Sequence, residues 1–390
     1  MRGFQMAVVI DVLIFPMFAV GDQSFVDLGP VEYIQAAGQQ IVVSGYSVPC
    51  YEDWNGDQLK DLIVGEGGGG WPGRIRVYLN VGTEQAPLFD RYYYIQSAGF
   101  DLVCPAQGCL GCFPRVIDWD GDGNIDLLVG LADGTIRLYR NIRDNNEPEL
   151  DCGSEVLVGT QTAIALDVGA RAAPCIADWD QDGLPDLVVG AMDGLIHLYL
   201  NSNENGPPLF PNPLQAGLYA QQQQDLLTVP SGRSSPCLAD LDGDGLQDIV
   251  VGNTDGQILF YRNIGHPGMP IFDAPMPIRS AGEPIHLPGS PRSRPYLCHW
   301  TGDGRFGPRD GYWDLLVGSG DGRVRLYRAI PRPGDLDADG DLDADDFTIL
   351  ARALDEPVPP EGSPADLNAD GAVDILDLWV FADLWRRANG

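Results

Sequence analysis

The sequence predicts an all-β fold, a five-bladed β-propeller closed by an N-terminal strand, followed by a small all-α domain with EF-hand-like loops. Three observations predict it. An aspartate-rich segment recurs five times at a spacing of about sixty residues, which suits a propeller blade with long loops. Each copy is followed by the pattern of a strand, a tight turn and a second strand. After residue 330 the pattern changes to loops that lead into short helical segments.

The composition limits the class of protein. The 390 residues leave room for one large and one small domain. The 56 acidic and 24 basic residues give a net charge of −32, which excludes nucleic acid as a partner because phosphate binding requires clustered cations. The acids lie in short loops and do not form a tail, which favours cation binding.

Residues 1–21 predict an export signal. Arg2 supplies a positive start, and residues 7–20 are largely apolar and end in small residues. Fourteen residues interrupted by Asp11 are too short to span a membrane, and no other stretch is apolar enough. We therefore expect a secreted or cell-surface protein without a transmembrane span, and we expect a monomer. Calcium is abundant outside cells, so export and aspartate-rich loops support each other.

Residues 24–330 contain the five copies of the repeat. The copies begin at Asp53, Asp118, Asp178, Asp240 and His299, and each ends in a Leu- or Val-rich stretch before a glycine. These apolar stretches predict buried strands. In four copies an Asp-Gly turn then precedes a segment such as residues 136–139, in which apolar residues alternate with others as in a half-buried strand.

The fifth copy lacks a piece that the other four have. An outer segment such as residues 94–99, Tyr-Ile-Gln-Ser-Ala-Gly, follows each of the first four copies, whereas the fifth stops near Ile330. A similar segment, Tyr-Ile-Gln-Ala-Ala-Gly, stands at residues 33–38. A ring must seal its sheet edges, so we predict that this N-terminal strand completes the last blade.

Four of the copies predict calcium sites. Positions 1, 3, 5 and 9 of each loop are oxygen donors, and this spacing brings short side chains to one centre. Without a cation the carboxylates would repel one another. In the fifth copy His299 and Thr301 replace the first two acids and an insertion follows, so we expect weak binding or none. The predicted ligands are Asp53, Asn55, Asp57, Asp61, Asp118, Asp120, Asp122, Asp126, Asp178, Asp180, Asp182, Asp186, Asp240, Asp242, Asp244 and Asp248.

Two interpretations of these calcium loops remain open. The ions could regulate the protein or bridge it to a ligand, or they could simply staple each loop to its blade, which is the simpler interpretation and the one we favour. Tryptophan recurs at position 2 of most loops, which indicates packing between blades. Cys50, Cys175 and Cys237 share one repeat position and are expected to be small buried residues. Trp71, after four glycines, could stack on a sugar ring.

Residues 335–387 predict a second calcium-binding domain, joined to the propeller by a linker at residues 331–334. Two twelve-residue loops hold donors at positions 1, 3, 5, 9 and 12 with glycine at position 6, as in an EF-hand. Each loop leads into a predicted amphipathic helix, at residues 347–354 and 378–387. The predicted ligands are Asp335, Asp337, Asp339, Asp341, Asp343 and Asp346 in the first loop, and Asp366, Asn368, Asp370, Ala372, Asp374 and Asp377 in the second, with Asp341 and Ala372 acting through their backbone carbonyls.

The repeats resemble the FG-GAP (or VCBS) repeats of integrin α-chain propellers and of many bacterial secreted proteins, through the motif Asp-x-Asp-x-Asp-Gly-x-x-Asp-Leu-x-Val-Gly. The resemblance covers about three quarters of the chain. Residues 334–385 resemble a type I dockerin. The resemblances imply calcium-dependent folding and docking to a cohesin domain, in a combination similar to secreted or surface proteins of bacteria such as planctomycetes.

The chain departs from these families in two respects. Most integrin-like propellers have seven blades, whereas five repeats are counted here. Dockerins of cellulose-degrading complexes often have a Ser-Thr pair at loop positions 10 and 11 that contacts cohesin. Here these positions hold Ala344-Asp345 and Ile375-Leu376, which leaves the identity of the partner open.

The leading functional hypothesis is a non-catalytic binding or scaffold protein that binds an extracellular glycan or protein and is tethered through its dockerin-like domain. The alternatives are a polysaccharide-degrading enzyme or accessory subunit, and a structural adhesion or envelope protein. An enzyme is disfavoured because 24 of the 56 acids belong to the predicted calcium loops. The four histidines, His197, His266, His286 and His299, fit no catalytic pattern either. We expect no catalytic residues, and Ca²⁺ as the cofactor.

Overall fold

The computed structural model describes part of the chain, namely residues 27–84, 86–105, 111–160, 162–204, 206–211, 216–217, 219–220, 226–266, 270–289, 291–300, 312–330, 333–336, 342, 344–354 and 363–388. The predicted export signal lies outside these residues. So do Thr301 and four predicted ligands, Asp337, Asp339, Asp341 and Asp343. In the part that is described, none of the helices has the length and apolar character needed to cross a membrane.

The described part of residues 27–330 is all-β and includes five sheets of four or more strands, which we number 1 to 5 by the chain order of the strand that precedes each aspartate loop. Sheet 1 consists of Val48–Glu52, Asp61–Gly68, Trp71–Asn80 and Phe89–Tyr94, extended by Gln35–Ala36 and Gln39–Gln40. Sheet 2 consists of Phe113–Ile117, Asp126–Gly130, Ile136–Tyr139 and Ser154–Glu155. Sheet 3 consists of Ala173–Ala177, Asp186–Gly190, Ile196–Tyr199 and Ala216–Gly217.

Sheet 4 consists of Ser235–Ala239, Asp248–Gly252, Ile258–Tyr261 and Met276–Pro277. Sheet 5 consists of Arg294–Cys298, Asp314–Gly318, Val324–Tyr327 and Glu32–Tyr33. Smaller ladders pair short strands with one another. Arg279–Ser280 pairs with Asp27–Leu28 on one side and with Glu283–Pro284 on the other. The other pairs are Gln96–Ser97 with Phe100–Asp101, Leu157–Val158 with Ile164–Ala165, and Tyr219–Ala220 with Ile271–Phe272.

The second strand of each sheet is the most buried element. In sheet 2, Leu127, Leu128 and Val129 are fully buried, so both faces of this strand are covered. This double burial explains why the strand is a continuous apolar run without alternation. Cys50 and Cys175 are also buried, on the first strands of sheets 1 and 3, as expected for small core residues.

The first strands of the five sheets, which we call the inner strands, pack beside one another in cyclic order. The inner strand of sheet 5 lies beside that of sheet 1, so the described sheets close on themselves. The N-terminal strand Glu32–Tyr33 pairs antiparallel with Val324–Tyr327, and Tyr33 lies opposite Arg325. The edge of sheet 5 is thus covered at Tyr33, where the predicted segment begins, whereas Gln35–Ala36 of the same segment pairs with Phe89–Tyr94 and extends sheet 1.

A glycine ends the second strand of sheets 2 to 5, and Gly65 takes the equivalent position within the longer second strand of sheet 1, because the next sheet packs directly against it. A Cβ atom on Gly190 would lie 2.3 Å from the carbonyl oxygen of Ser234, which precedes the inner strand of sheet 4. The same contact recurs around the ring, at Gly65, Gly130, Gly252 and Gly318. At Gly318 the partner is the carbonyl of Ser47, so this contact also joins sheet 5 to sheet 1.

The recurring tryptophans pack between sheets. Trp179 in the loop of sheet 3 lies 6.1 Å from the ring of Phe272, which follows the third strand of sheet 4. Trp300 lies 6.0 Å from Phe89 of sheet 1. These contacts confirm the interpretation of these residues as inter-sheet packing. Trp71 differs, since it begins the third strand of sheet 1 and is 57% exposed.

A buried ion pair holds the turn of sheet 5. The Nη2 of Arg325 lies 2.5 Å from Asp321 Oδ2, and Ser319 Oγ donates to Asp321 Oδ1 at 2.5 Å. Burial acts to raise the pKa of Asp321, but the hydrogen bonds from Arg325 and Ser319 outweigh it and hold this pKa well below its ordinary value. The ionised carboxylate therefore stabilises the folded state above the pKa of the unfolded chain, and this stabilisation is lost as the pH falls.

We expect Asp321→Asn to lower the free energy of unfolding at pH 7 by about 1–3 kcal/mol, because the buried Arg325 loses its charged partner. The difference between variant and parent should shrink as the pH falls below about 4, where the parent carboxylate also becomes neutral. Urea unfolding at several pH values in calcium measures both effects. A difference that stays constant over this pH range would contradict the ion-pair interpretation.

The C-terminal residues form two helices, α1 (Ala344–Ala353) and α2 (Ile375–Ala388), around a small core that includes Leu336, Leu350 and Phe381. Both helices begin three residues before the predicted positions. For α2 the reason is a reciprocal cap: Leu376 N donates to Asp374 Oδ1 at 2.7 Å, and Asp374 N donates to Asp377 Oδ2 at 2.8 Å. The last loop position thus lies inside the first helical turn.

Candidate metal centres

The ninth residue of each repeat loop is a buried carboxylate that ties the loop to its sheet. In sheet 3, Trp179 N donates to Asp186 Oδ2 at 2.9 Å and Asn201 N donates to Asp186 Oδ1 at 2.7 Å. The same pair of bonds is made by Asp61, Asp126 and Asp248. Asp314 makes it in sheet 5, so the frame of the loop persists where the sequence is most altered.

Burial dominates the electrostatics of these ninth residues. Desolvation raises the pKa of Asp186 to about 6, although the two backbone N–H groups lower it. It likewise raises the pKa of Asp61 and Asp126 to about 6 and that of Asp248 to about 7. An ionised carboxylate is therefore costly at these positions, and a cation beside it would offset that cost.

Three of the loops bring carboxylates together. In the loops of sheets 2, 3 and 4, one oxygen from each of three aspartates lies within 4.8 Å of the others. The groups are Asp118, Asp120 and Asp122; Asp178, Asp180 and Asp186; and Asp240, Asp242 and Asp248. The predicted ligand Asp126 lies outside the first of these groups, and Asp182 and Asp244 lie outside the other two.

Several oxygens in these groups are buried without a hydrogen-bond donor. They are Asp120 Oδ1 in sheet 2, and Asp178 Oδ1 and Asp180 Oδ1 in sheet 3. A buried carboxylate oxygen without a donor is unfavourable unless a cation lies beside it. Three or more hard oxygen donors around one point are the ligand set that Ca²⁺ prefers. The residues present therefore fit calcium.

The loop of sheet 1 is organised mainly by its own hydrogen bonds. The carboxylate of Asp53 accepts from Gly56 N at 2.8 Å and from Gln58 N at 2.9 Å, and Asn55 Nδ2 donates to Asp57 Oδ2 at 3.0 Å. Asn55 contributes no charge, so the negative charge here is smaller than in the other three loops. Calcium binding by Asp53, Asn55, Asp57 and Asp61 stays a prediction.

Two groups of residues near the loops, arginines and asparagines, were not predicted from the sequence. Arg262 forms an ion pair with Asp242, and Arg140 Nη1 lies 3.9 Å from Asp120 Oδ2. Both arginines follow the last tyrosine of the third strand, and in sheet 3 this place is taken by Leu200. An asparagine one residue further on recurs in four sheets and donates its backbone N–H to the ninth residue. The recurrence of Tyr-x-Asn could have revealed it.

The second C-terminal loop is folded around its first and last acids. Asp366 Oδ2 accepts from Gly371 N at 2.9 Å, and the buried Asp377 accepts from Asn368 N at 3.1 Å. In the first loop Asp335 and Asp346 are described and buried, and Tyr312 of the β region donates to Asp335 Oδ2 at 2.5 Å. Within the described residues, three acids converge only in sheets 2 to 4.

Comparison with protein families gives two matches. Residues 118–189 and 178–251 match the FG-GAP-like repeat, and residues 333–381 match the dockerin type I domain. The recognition of FG-GAP-like repeats with a C-terminal dockerin is thereby confirmed. The FG-GAP match includes the three loops in which carboxylates converge, whereas sheets 1 and 5, with altered loops, lie outside it.

Solved structures resemble the chain more distantly. A GH43_1 enzyme from Xanthomonas citri is 11% identical over 76% of this chain and 90% of the enzyme, with a TM-score of 0.41. A glucose dehydrogenase is 14% identical over 76% of this chain and 87% of that one, with a TM-score of 0.37. The Photorhabdus luminescens Tc holotoxin pore is 14% identical with a TM-score of 0.37, and the alignment spans 77% of this chain but 14% of that one.

Proposed function

We propose that this chain, in which FG-GAP-like repeats precede a type I dockerin domain, is a secreted, calcium-loaded, five-bladed β-propeller that binds a ligand without catalysis. Its dockerin domain tethers it to a cohesin-like partner in an extracellular complex. The ligand is an extracellular glycan or protein, held by the loops of the propeller. The bound calcium ions staple the loops and so keep the binding surface in shape.

The observation that supports the proposal most is the repetition of structural roles around the ring. In every sheet the ninth carboxylate holds the loop, and a glycine of the second strand contacts the next sheet. The acids of the repeats thus serve the architecture in one sheet after another. A ring of equivalent sheets with cation-stapled loops is a scaffold that presents its loops, which suits binding.

The surroundings of the described histidines also favour a binding role over catalysis. His197 is buried on the third strand of sheet 3, and His299 stacks on Trp313 at 4.2 Å while its Nδ1 lies 2.8 Å from the carbonyl of Tyr312. Such an environment is typical of packed residues.

Helix α2 offers an apolar surface for the docking partner. Ile375 is 62% exposed, Leu376 51% and Trp379 72%, and residues three and four apart share one helix face. A groove of about 380 Å³ continues this surface, lined by Phe347, Leu378, Phe381, Ala382, Trp385 and Arg386. Ile375 and Leu376 occupy the positions where a Ser-Thr pair is common, so we propose an apolar contact with the partner there.

We expect Trp379→Ala to weaken binding to a cohesin-type domain by about 2 kcal/mol, or roughly thirtyfold, because a large exposed aromatic residue often dominates such an interface. Stability should not change, since the side chain is mostly exposed. Biosensor measurements against a panel of type I cohesin domains in calcium would test this. Phe100→Ala, at an equally exposed aromatic residue of the β region, is the control. Equal affinity of both variants would exclude α2 as the docking surface.

The binding function itself is tested by incubating the full chain, with calcium, on a panel of polysaccharides and extracellular proteins. We expect retention on at least one class of ligand without release of soluble products. Product release that is abolished by replacing a carboxylate outside the calcium loops would overturn the non-catalytic assignment. Absence of retention on every ligand would favour a purely structural role.

A further inference from the structure

Two cysteines that lie between sheets 1 and 2 in the chain are held by their backbones against sheet 1. Cys104 N donates to the carbonyl of Gly73 at 2.9 Å, and Cys112 N donates to the carbonyl of Glu66 at 3.4 Å. Glu66 pairs with Arg74, the residue after Gly73, in the ladder between the second and third strands of sheet 1. The ladder therefore brings the backbones of Cys104 and Cys112 close to each other.

The side chains of these two cysteines meet over a glycine. A Cβ atom on Gly73 would lie 2.9 Å from Sγ of Cys112 and 3.2 Å from Cβ of Cys104, so both cysteines border the same point. Cys104 is 2% exposed and Cys112 is fully buried, and both belong to one apolar cluster with Ile75 and Val77. The glycine thus leaves the space in which the two side chains come together.

The two thiols also interact with each other. Burial raises the pKa of Cys112 well above its ordinary value, and the hydrogen bond between its thiol and the Cys104 side chain raises this pKa further. The structure describes both residues as free thiols. Two thiols in contact need only small side-chain rotations to reach the sulfur–sulfur distance of about 2 Å in a disulfide.

The sequence offers three pairings in this segment, because Cys109 stands between the other two cysteines. A disulfide requires side chains that point toward each other across a short distance. Cys104 and Cys112 meet this requirement over Gly73, whereas Cys109 lies outside the described residues. The contacts therefore favour the pairing of the first cysteine with the third.

We propose that Cys104 and Cys112 form a disulfide bond that fastens the start of the inner strand of sheet 2 to sheet 1. Cys112 directly precedes Phe113, the first residue of that strand. The aspartate loop at Asp118 follows the other end of the same strand, so the disulfide and the calcium loop hold its two ends. This inference goes beyond the proposed binding function and does not depend on it.

The oxidant is a small disulfide such as oxidised glutathione. One cysteine thiolate attacks it and releases one glutathione, and the second cysteine thiolate attacks the mixed disulfide and releases another. The two thiol protons end on the two released glutathiones, so one protein disulfide forms for each oxidised glutathione consumed. Because the thiolate is the nucleophile and burial raises the pKa of Cys112, we expect the bond to form before sheet 1 covers the pair.

The test is peptide mapping of the full chain after refolding in calcium with reduced and oxidised glutathione. Free thiols are blocked with N-ethylmaleimide under denaturing conditions, and disulfides are then reduced and labelled with iodoacetamide. Trypsin leaves Cys104, Cys109 and Cys112 in one peptide, residues 92–115, and fragmentation of this peptide assigns each label.

We expect iodoacetamide on Cys104 and Cys112 and maleimide on Cys109. Before reduction, the peptide should have the mass of an internal disulfide, with no second peptide attached. Maleimide on Cys104 or Cys112, or a second peptide attached to either, would overturn the proposal.

Two variants connect the bond to stability. Refolding in a phosphine reductant instead of glutathione should lower the melting temperature of the parent and of Cys109→Ser by about 5 °C, since a bond that closes a short loop is lost. Cys112→Ala has no such bond, so the reductant should not change its melting temperature, whatever the substitution itself costs. If Cys112→Ala does not fold, Cys104→Ala takes its place. An equal decrease in the alanine variant and the parent would overturn the proposal.

The disulfide and the proposed function fail separately. Maleimide on Cys104 and Cys112 in a chain that is still retained on a ligand would overturn the disulfide alone. An intact disulfide in a chain that is retained on no ligand would support the disulfide and count against the binding function alone.

Discussion

Removal of calcium is expected to lower the melting temperature of the β region by about 15 °C or more. A ligand that binds only the folded state at a hundred times its dissociation constant adds about 2.7 kcal/mol per site, so three sites add about 8 kcal/mol. The effect is large because the carboxylate oxygens of sheets 2 to 4 lie within 4.8 Å of one another and some have no donor. Without the ion, this repulsion and desolvation oppose folding.

Scanning calorimetry with calcium, with chelator, and with calcium restored measures this effect. Asp180→Asn removes one carboxylate from a single group and should lower the melting temperature in calcium by a fraction of the decrease that chelator causes. Asp90→Asn, at an exposed aspartate outside the loops, should not change the melting temperature. Recovery with calcium but not with an equal concentration of magnesium would support the flexible, oxygen-rich ligand set. Identical melting with and without chelator would refute the metal assignment.

Gly190→Ala is expected to destabilise the ring severely, by about 3 kcal/mol or more. The new Cβ would lie 2.3 Å from the Ser234 carbonyl oxygen and 2.5 Å from Cδ of Pro236. Both atoms belong to the start of the next inner strand, which cannot move without separating sheets 3 and 4. The substitution therefore acts on the interface between sheets, although Gly190 itself has an ordinary strand conformation.

Gly38→Ala is the matched control for this prediction. Gly38 has a φ of +74° and nothing within 4 Å of the added Cβ, so alanine there meets only backbone strain of about 1 kcal/mol. Chemical unfolding of both variants in saturating calcium measures the difference. If Gly190→Ala were no more harmful than Gly38→Ala, the close packing of successive sheets would be refuted.

The features that could be predicted from the sequence are those that depend on residues close together in the chain. The loops at Asp118, Asp178 and Asp240 lie within nine residues, and their spacing alone brings donors near one point. The hairpins that follow depend on Asp-Gly turns of the same local kind. The recurrence of a segment like residues 33–38 even located the N-terminal strand, since the edge of the last sheet must be covered.

Other features depend on contacts between residues far apart in the chain. The sequence does not say that Gly190 faces Ser234, that Arg292 lies on the ring of Tyr46, or that Asp186 binds the backbone of Asn201, just after the third strand of sheet 3. Nor does the loop spacing reveal that helix α2 begins inside its calcium loop, since Asp374 and Asp377 cap each other.

The sequence by itself determined the repeat, the pattern of strand, turn and strand after each loop and the residue types of the metal loops, because all three depend on local spacing and alternation. Only the tertiary structure decided which carboxylates converge, why a glycine recurs in each second strand, and which cysteines meet. The physical reason is that these properties arise when separate sheets pack around one axis, and no local pattern in the chain encodes which atoms meet there.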